Sequence, residues 1–452
     1  MSDYNKNLIT AQKIAAAVNE AGGTAYYVGG YVRDRLLGID NKDIDIEIHG
    51  VAPDKLERIL NSLGSRITIG ESFGIYALKG CDVDIALPRK ETATGRGHRD
   101  FDIIADPFIG PQKAASRRDF TVNALMENVL TGEILDYFGG REDLNNKILR
   151  HVSDASFGED PLRVLRGAQF AARFGFTVAP ETVELCSRMD LTALPKERVE
   201  AELRKALLKS CKPSVFFEVL REENALDYWF PEVKALWGVE QNPARHPEGG
   251  VWEHTMLVLD MAVRYRDKVN NPAGLMYSAL CHDFGKPATT AFIKGAIHTY
   301  DHETVGVPIA SAFMSRLTGE KELIRFVLNM VENHMVPHSV EADSSPVKKT
   351  NRMFDRTVDP YALICVAMSD AAGTLPPAEK LREKEAFLLE RLDIYNEYMS
   401  RPFVSGKDLI DSGLTPGGSF SEILDYAHKL RLAGIDKESA LKQTLAYARK
   451  LK

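Results

Sequence analysis

Asp43 and Asp45, in the stretch "DIDIEI", are separated by a single residue. In a strand, residues i and i+2 face the same side. The two carboxylates then project together, and such a pair repels unless a cation lies between them. Asp84 in "CDVDIALPR" supplies a third acid, expected on an adjacent strand. Hard oxygen ligands gathered in this way suit Mg²⁺, an ion that works on substrate phosphates. Paired ions of this kind activate an attacking hydroxyl and stabilise a leaving pyrophosphate. Upstream, Gly29 and Gly30 in "VGGYVRD" let the backbone approach a triphosphate closely, at the start of a helix whose amides attract anions. Arg33, one turn in, adds positive charge. Each signal alone also describes a solvated strand end or an ordinary helix start; it is their spacing that points to nucleotide chemistry.

A second set of residues suggests a different metal. His254 in "RHPEGGVWEHT", His282 and Asp283 in "ALCHDFGKP", His302 in "DHETVG", His334 in "ENHMV" and Asp370 in "AMSDAAG" fall at successive expected helix ends. Imidazole with carboxylate suits a divalent transition metal, and an adjacent His-Asp pair can hold one and orient its water. A lone histidine on an apolar face would be core; the ordered series reads as a ligand set.

The elements that must position these groups change character along the chain. Strand signals cluster early, in "TAYYVGG", "DIDIEIHG", "SRITIGESFGIYALKG" and "CDVDIALPR". Beyond about residue 150 the pattern is helical, as in "DPLRVLRGAQFAARFGF", "HTMLVLDMAVRYR" and "ELIRFVLNMVENH", with Pro and Gly breaks. The polar, glycine-bearing stretch 89–113 reads as a long mobile loop. The expected fold is an α/β head over residues 1–150, followed by an all-α remainder: a helical neck (151–240), a body (241–375) that holds the histidine series, and a helical tail (376–452).

A chain of 452 residues, 44% of them hydrophobic, can form several cores, and 27% charged residues suit a water-soluble protein. No apolar run is long enough to span a bilayer and no secretory signal is visible, so no membrane partner is expected. Five scattered cysteines argue against a disulfide framework and for a reducing cytoplasm. A net charge of −7 counts against nucleic acid only weakly, because binding depends on local basic surfaces. The C-terminal "HKLRLAGIDKESALKQTLAYARKLK" is locally basic, as either a solvated helix or an RNA contact.

"GGYVRD" followed by "DIDIEI" resembles the catalytic motif of class II nucleotidyltransferases of the polymerase-beta-like superfamily, which contains CCA-adding enzymes and bacterial poly(A) polymerases. "RRDFTVNAL" (117–125) is similar to the family's second motif, "DYFGGREDLNNKILRHV" (136–152) to its third, "EDPLRVLRGAQFAARFGF" (159–176) to its fourth and "ERVEAELRKAL" (197–207) to its fifth. The resemblance implies Mg²⁺ on Asp43 and Asp45 with Asp84 assisting. It implies nucleotide contacts from Gly29, Gly30, Arg33, Arg117, Arg118, Asp119 and Asn123, and base reading by Asp160, Arg163 and Arg166. The family often has an arginine where this sequence has Gln169. The strand pair at 67–80 looks like the CCA type, and "FVSGKDLIDSGLTPGGSFSEIL" (403–424) looks like the tail of many CCA-adding enzymes. The histidine series resembles the HD metal-dependent phosphohydrolases, a domain that some CCA-adding enzymes carry.

Asp160, Arg163 and Arg166 recur every three residues and would share a helix face. A carboxylate accepts and a guanidinium donates. Cytosine and adenine both carry an amino group beside an acceptor nitrogen, so such a pair suits CTP and ATP, whereas uracil and guanine leave polar groups mispaired. The expected activity is addition of CCA to tRNA without a template. The alternatives are a poly(A) polymerase, a CC- or A-only enzyme, a phosphohydrolase whose head only binds RNA, and a non-catalytic RNA-binding module.

Overall fold

The structure is a computed structural model and describes residues 3–70, 75–93, 101–340 and 345–451. Residues 71–74 of the CCA-type strand pair and 94–100 of the expected loop lie outside it. The described chain forms two compact units, residues 1–206 with 215–229, and residues 207–214 with 230–452.

The first unit is built on a seven-stranded sheet of β1 (Thr24–Val28), β2 (Ile44–His49), β3 (Arg66–Gly70), β4 (Ile75–Leu78), β5 (Val83–Ala86), β8 (Met126–Asn128) and β9 (Ile134–Leu135). Their order across the sheet is β3-β4-β5-β2-β1-β8-β9. Pairing is antiparallel except between β2 and β5, which run parallel. The alternation in "IDIEIH" explains how β2 serves both core and site. Ile44, Ile46 and Ile48 are buried in one hydrophobic cluster with Ile14, Val18, Leu56 and Leu60 from the helices Asp3–Glu20 and Pro53–Leu63. The intervening residues Asp45, Glu47 and His49 point to the opposite face.

Two departures from the sequence reading are β-ribbons. Part of the stretch expected to be a mobile loop is an antiparallel pair, β6 (Arg89–Ala93) with β7 (Phe101–Ala105), followed by the short helix Pro111–Ala115. Its polar composition hid the pairing, because a ladder needs backbone partners more than apolar side chains. The helical remainder is interrupted too. β10 (Ile148–Leu149) and β11 (Thr177–Val178) form a short parallel pair, and β12 (Thr290–Ile293) and β13 (Ala296–Thr299) form a hairpin. The hairpin turns at Lys294 and Gly295, both with positive φ, which is the requirement of a tight two-residue turn.

In the second unit, helices Val251–Arg266, Pro272–Cys281, His302–Leu317, Lys321–Asn333 and Pro360–Gly373 pack on one another. Gly285 stands where two of these segments meet. A Cβ there would overlap the His302 carbonyl oxygen and stand 2.8 Å from the Gly306 nitrogen. Backbone cannot retreat as a flexible side chain can, so Gly285→Ala should destabilise the second unit by on the order of 1–3 kcal/mol. Gly319→Ala, whose Cβ would meet nothing within 4 Å, is the control. Thermal unfolding of both variants checks this, and equal midpoints would contradict the packing argument.

Candidate functional sites

In the first unit, β1 runs into Gly29, which has φ +65° and precedes the helix Gly30–Leu36. A Cβ on Gly29 would stand 3.2 Å from Nη1 of Arg118, so a side chain here would crowd both the turn and that guanidinium. Asp45 on β2 is in direct register with Asp84 on the parallel strand β5. Asp43 lies just before β2, exposed, its amide donating to Asn41 Oδ1 at 3.0 Å. Burial, and then the Asp84 carboxylate, push the Asp45 pKa up to about 6, against the pull of Arg118. This is the electrostatic signature of a site that gathers negative charge and favours a cation. The donors are all carboxylate oxygens, which fits Mg²⁺.

Asp45 lines two neighbouring clefts. One, of about 460 Å³, is bounded by Gly29, Gly30, Arg33, Arg117, Arg118, Asp119, Asn123, Asp160, Arg163 and Arg166, together with Leu162, Phe170 and Arg198. The other, of about 340 Å³, contains Asp84, Glu47 and Arg89 and shares Asp45, Arg117 and Arg118 with the first. The structure therefore brings the predicted nucleotide-binding residues to one cavity, with Asp84 across the wall.

Several of these residues work differently from the sequence reading. Arg33 is only 4% exposed. It donates to Asp34 Oδ1 and Asn123 Oδ1, both at 2.7 Å, and its guanidinium lies over Phe174 and Phe170 at 4.3 and 5.1 Å. It braces the cleft more than it presents charge. Asp119 is buried and accepts from Arg166 Nε and Nη2 (2.9 and 2.7 Å), Asn123 Nδ2 (2.9 Å) and the Phe120 amide (2.8 Å). Burial alone would raise its pKa, but Arg166 and these donors hold it below the usual carboxylate value. Arg118 Nη2 reaches Glu47 Oε2 at 3.2 Å, and Arg117 Nη2 reaches Glu159 Oε2 at the same distance.

Asp160 does not share the helix face with Arg163 and Arg166. The helix is Leu162–Phe174 with Pro161 as its N-cap, so Asp160 precedes it. Its Oδ1 accepts from the Leu162 amide at 3.1 Å, and its Oδ2 pairs with Arg198 Nη2 at 2.9 Å. Arg163 donates instead to the carbonyls of Ser156 (2.6 Å) and Arg117 (2.8 Å). Arg198 is a cleft residue that spacing did not single out, although it lies in the fifth resembling segment. Gln169 is 1% exposed on the same helix, with no hydrogen bond to its Nε2.

In the second unit, all six expected metal-binding residues converge in two triads, His254, His282 and Asp370, and Asp283, His302 and His334. The Nε2 atoms of His254 and His282 are 3.4 Å apart, and those of His302 and His334 are 3.3 Å apart. Asp283 joins its own triad to the other, with Oδ1 3.4 Å from His302 Nε2 and Oδ2 3.1 Å from His282 Nε2. The tautomers follow from the other ring nitrogens. Nδ1 of His282, His302 and His334 each meets a carbonyl, of Ala279, Thr299 and Val331, at 2.7–2.8 Å. A carbonyl only accepts, so each Nδ1 carries the proton and each Nε2 turns a lone pair inward. His254 Nδ1 meets the buried Glu248 Oε1 at 2.8 Å, the same arrangement with a carboxylate. Burial, and then the neighbouring His282 ring, press the His334 pKa down to about 3, which keeps that imidazole neutral. Ring nitrogens this close repel one another unless a proton or a metal lies between them, and the nitrogen and carboxylate set fits a divalent transition ion.

Around this core stand residues the sequence reading did not name. Lys286 Nζ lies 2.7 Å from Asp283 Oδ2 and donates to Gln241 Oε1 at 2.6 Å, while His338 Nε2 lies 2.9 Å from Asp370 Oδ2. Lys286 belongs to the "HDFGKP" stretch and Glu248 to "RHPEGG", so their neighbourhood was visible but not their direction.

Residues 25–150 match the Poly A polymerase head domain, 175–236 the probable RNA and SrmB-binding site of polymerase A, and 251–388 the HD domain. The multifunctional CCA protein of Actinobacillus pleuropneumoniae serotype 5b is 39% identical over 363 residues, 77% of this chain and 85% of that protein. That of Pasteurella multocida is 36% identical over 428 residues, 92% of this chain and 97% of that protein. The fold is shared with a CCA-adding enzyme in its apo form II (TM-score 0.68, 21% identity, 98% of this chain and 96% of that one). It is shared also with the Thermotoga maritima CCA-adding enzyme complexed with tRNA (TM-score 0.64, 21% identity, 99% of each chain). With motifs, geometry and relatives in agreement, the chain belongs to the multifunctional CCA protein family.

Proposed function

We propose that the first unit adds C, C and A to tRNA 3′ ends from CTP and ATP without a nucleic-acid template, and that the second unit hydrolyses phosphate esters. The observation that carries the first reading is Asp45 in register with Asp84 where two clefts share an arginine wall. In this reading the triphosphate lies along the Gly29–Gly30 turn against Arg117 and Arg118, and the RNA end enters the cleft that holds Asp84. The terminal hydroxyl attacks the α-phosphate, an O–P bond forms, and pyrophosphate leaves. Mg²⁺ held by Asp43 and Asp45, with Asp84 assisting, would lower the pKa of the hydroxyl and neutralise the leaving charge. Asp160 accepts from the base amino group and is aimed by Arg198; Arg163 and Arg166, anchored by carbonyls and by Asp119, present donors. In this reading the neck (151–240) serves base recognition and RNA contact.

In the second unit, the inward-facing Nε2 atoms and the shared Asp283 carry the reading. They would hold a transition metal that supplies a hydroxide nucleophile at neutral pH, and a terminal or cyclic phosphate at an RNA end suits the site. The five cysteines are unpaired, which agrees with work on tRNA in a reducing cytoplasm.

Asp45→Asn should lower nucleotide addition by at least about a hundredfold while the thermal midpoint stays near that of the parent protein. Near-normal addition to a tRNA lacking its 3′ end, read by sequencing the products, would remove the assignment. The same assay separates CCA addition from poly(A), CC-only or A-only products.

Asp160→Ala should lower the single-turnover ratio of CTP to UTP incorporation, since each mispaired buried polar group costs on the order of 1–3 kcal/mol. A uniformly lower rate at an unchanged ratio would mean that Asp160 only caps its helix.

Asp283→Ala should strip the transition metal from the second unit, as measured by elemental analysis. It should also abolish phosphoesterase activity and leave CCA addition within about twofold, because Asp283 belongs to the other compact unit. Loss of both activities together would defeat the two-site reading.

A further inference from the structure

Asp43 and Asp45 are a pair in sequence but are held differently by the fold. Asp45 sits within β2, where the sheet fixes it in register with Asp84. Asp43 precedes the strand and is exposed, at the end of the segment 37–43 that joins the helix Gly30–Leu36 to β2. The alternation of a strand therefore does not hold its carboxylate beside that of Asp45. A ligand on an open segment must be ordered when the ion arrives, and that ordering costs entropy. Something other than the ladder has to place it.

Asn41 stands where it can do so. Its Oδ1 accepts from the Asp43 amide at 3.0 Å, and its Nδ2 donates to Asp34 Oδ2 at 2.9 Å. The first contact alone would be an ordinary local turn, of the kind that Asn side chains form with the backbone two residues on. The second ties this turn to a rigid support. Asp34 is 2% exposed, and its Oδ1 meets the Arg33 guanidinium through Nε at 2.7 Å and Nη2 at 2.6 Å. Arg33 Nη1 donates to Asn123, and Asn123 donates to Asp119. One end of the Asn41 amide thus holds the backbone of Asp43, and the other reaches the buried set that braces the nucleotide cleft. Asn supplies an acceptor and a donor on one short side chain, and both are used here.

We propose that Asn41 is the positioning residue for Asp43: tethered to Asp34, it holds the segment before β2 so that the Asp43 carboxylate meets the ion that Asp45 binds. This rests on the reading of Asp43 and Asp45 as Mg²⁺ ligands. Partners that hold a ligand without touching the metal account for roughly ten- to a hundredfold in metal affinity.

The test uses the full-length protein with Mn²⁺ in place of Mg²⁺ and the unreactive α,β-methylene analogue of CTP. Bound Mn²⁺ is counted by electron paramagnetic resonance in the parent, Asp45→Asn, Asn41→Ala and Asn41→Asp. Ions lost in Asp45→Asn are those of the first unit; ions of the second unit are common to all four proteins. The dissociation constant of the first-unit ions should rise about tenfold in Asn41→Ala. Asn41→Asp keeps the acceptor for the Asp43 amide but sets an oxygen against Asp34 Oδ2, so it breaks only the tether. Added negative charge alone would tighten the binding of a cation, so weaker binding in Asn41→Asp isolates the tether. In nucleotide addition, the Mg²⁺ concentration for half-maximal rate should rise by the same factor in Asn41→Ala, and high Mg²⁺ should restore most of the rate. A merely structural role would lower the rate at every Mg²⁺ concentration. An unchanged dissociation constant in Asn41→Ala, unchanged or tighter binding in Asn41→Asp, or a loss of rate that Mg²⁺ does not restore overturns the proposal. If Asp45→Asn binds as many ions as the parent, the Mg²⁺ reading of the first unit falls, and the proposal with it.

Discussion

The first unit depends on one buried carboxylate. Asp119 accepts four hydrogen bonds, and through them it fixes Arg166 on one helix and Asn123 in the segment between the helix Pro111–Ala115 and β8. Asn123 in turn holds Arg33, and Arg33 is clasped by Phe170 and Phe174. Segments far apart in sequence are thereby joined into one part. A buried charge with every lone pair engaged is stable; removing one partner typically costs 3–5 kcal/mol because the other is left unpaired. Asp119, Asn123, Arg33 and Arg166 in the cleft wall are held by one another. Fixed dipoles rather than mobile side chains are the condition for electrostatic selectivity.

The second unit meets a different constraint. Its inward nitrogens repel one another unless a proton or a metal lies between them, and the fold holds them together by assigning each outer ring nitrogen a partner. Gly285 permits the approach, since only a residue without a side chain lets the segment after Asp283 lie against the carbonyl of His302. Lys286 adds a positive charge beside Asp283, which offsets part of the acid's burial cost.

Much of both sites could be read from the residues. The period of two in "DIDIEI" placed Asp45 opposite the core, and the order of histidines and acids at helix ends foretold a cluster. What remained hidden was direction and partnership. Asp160 looked like part of a helical row, but the helix starts at Leu162 with Pro161 as its N-cap, and Asp160 turns to Arg198, a partner 38 residues away. Arg33 looked like a phosphate ligand because sequence shows its charge and not the two phenylalanines that enclose it. The β6–β7 ribbon and the β12–β13 hairpin were missed because strands of four or five residues carry too short a pattern to stand out from their surroundings.

His282, His302 and His334 each direct Nδ1 to the carbonyl three residues earlier in the chain. Their aim is thus set by two helix ends and by the end of β13, and not by the metal. The rotational freedom of three imidazoles is surrendered when the chain folds, so metal capture does not bear that entropy. An ion arriving at this centre meets a cage of fixed dimensions. The ion retained is then decided by how well its radius and preferred coordination match that cage, whereas a flexible site would reshape itself around whichever metal was most abundant.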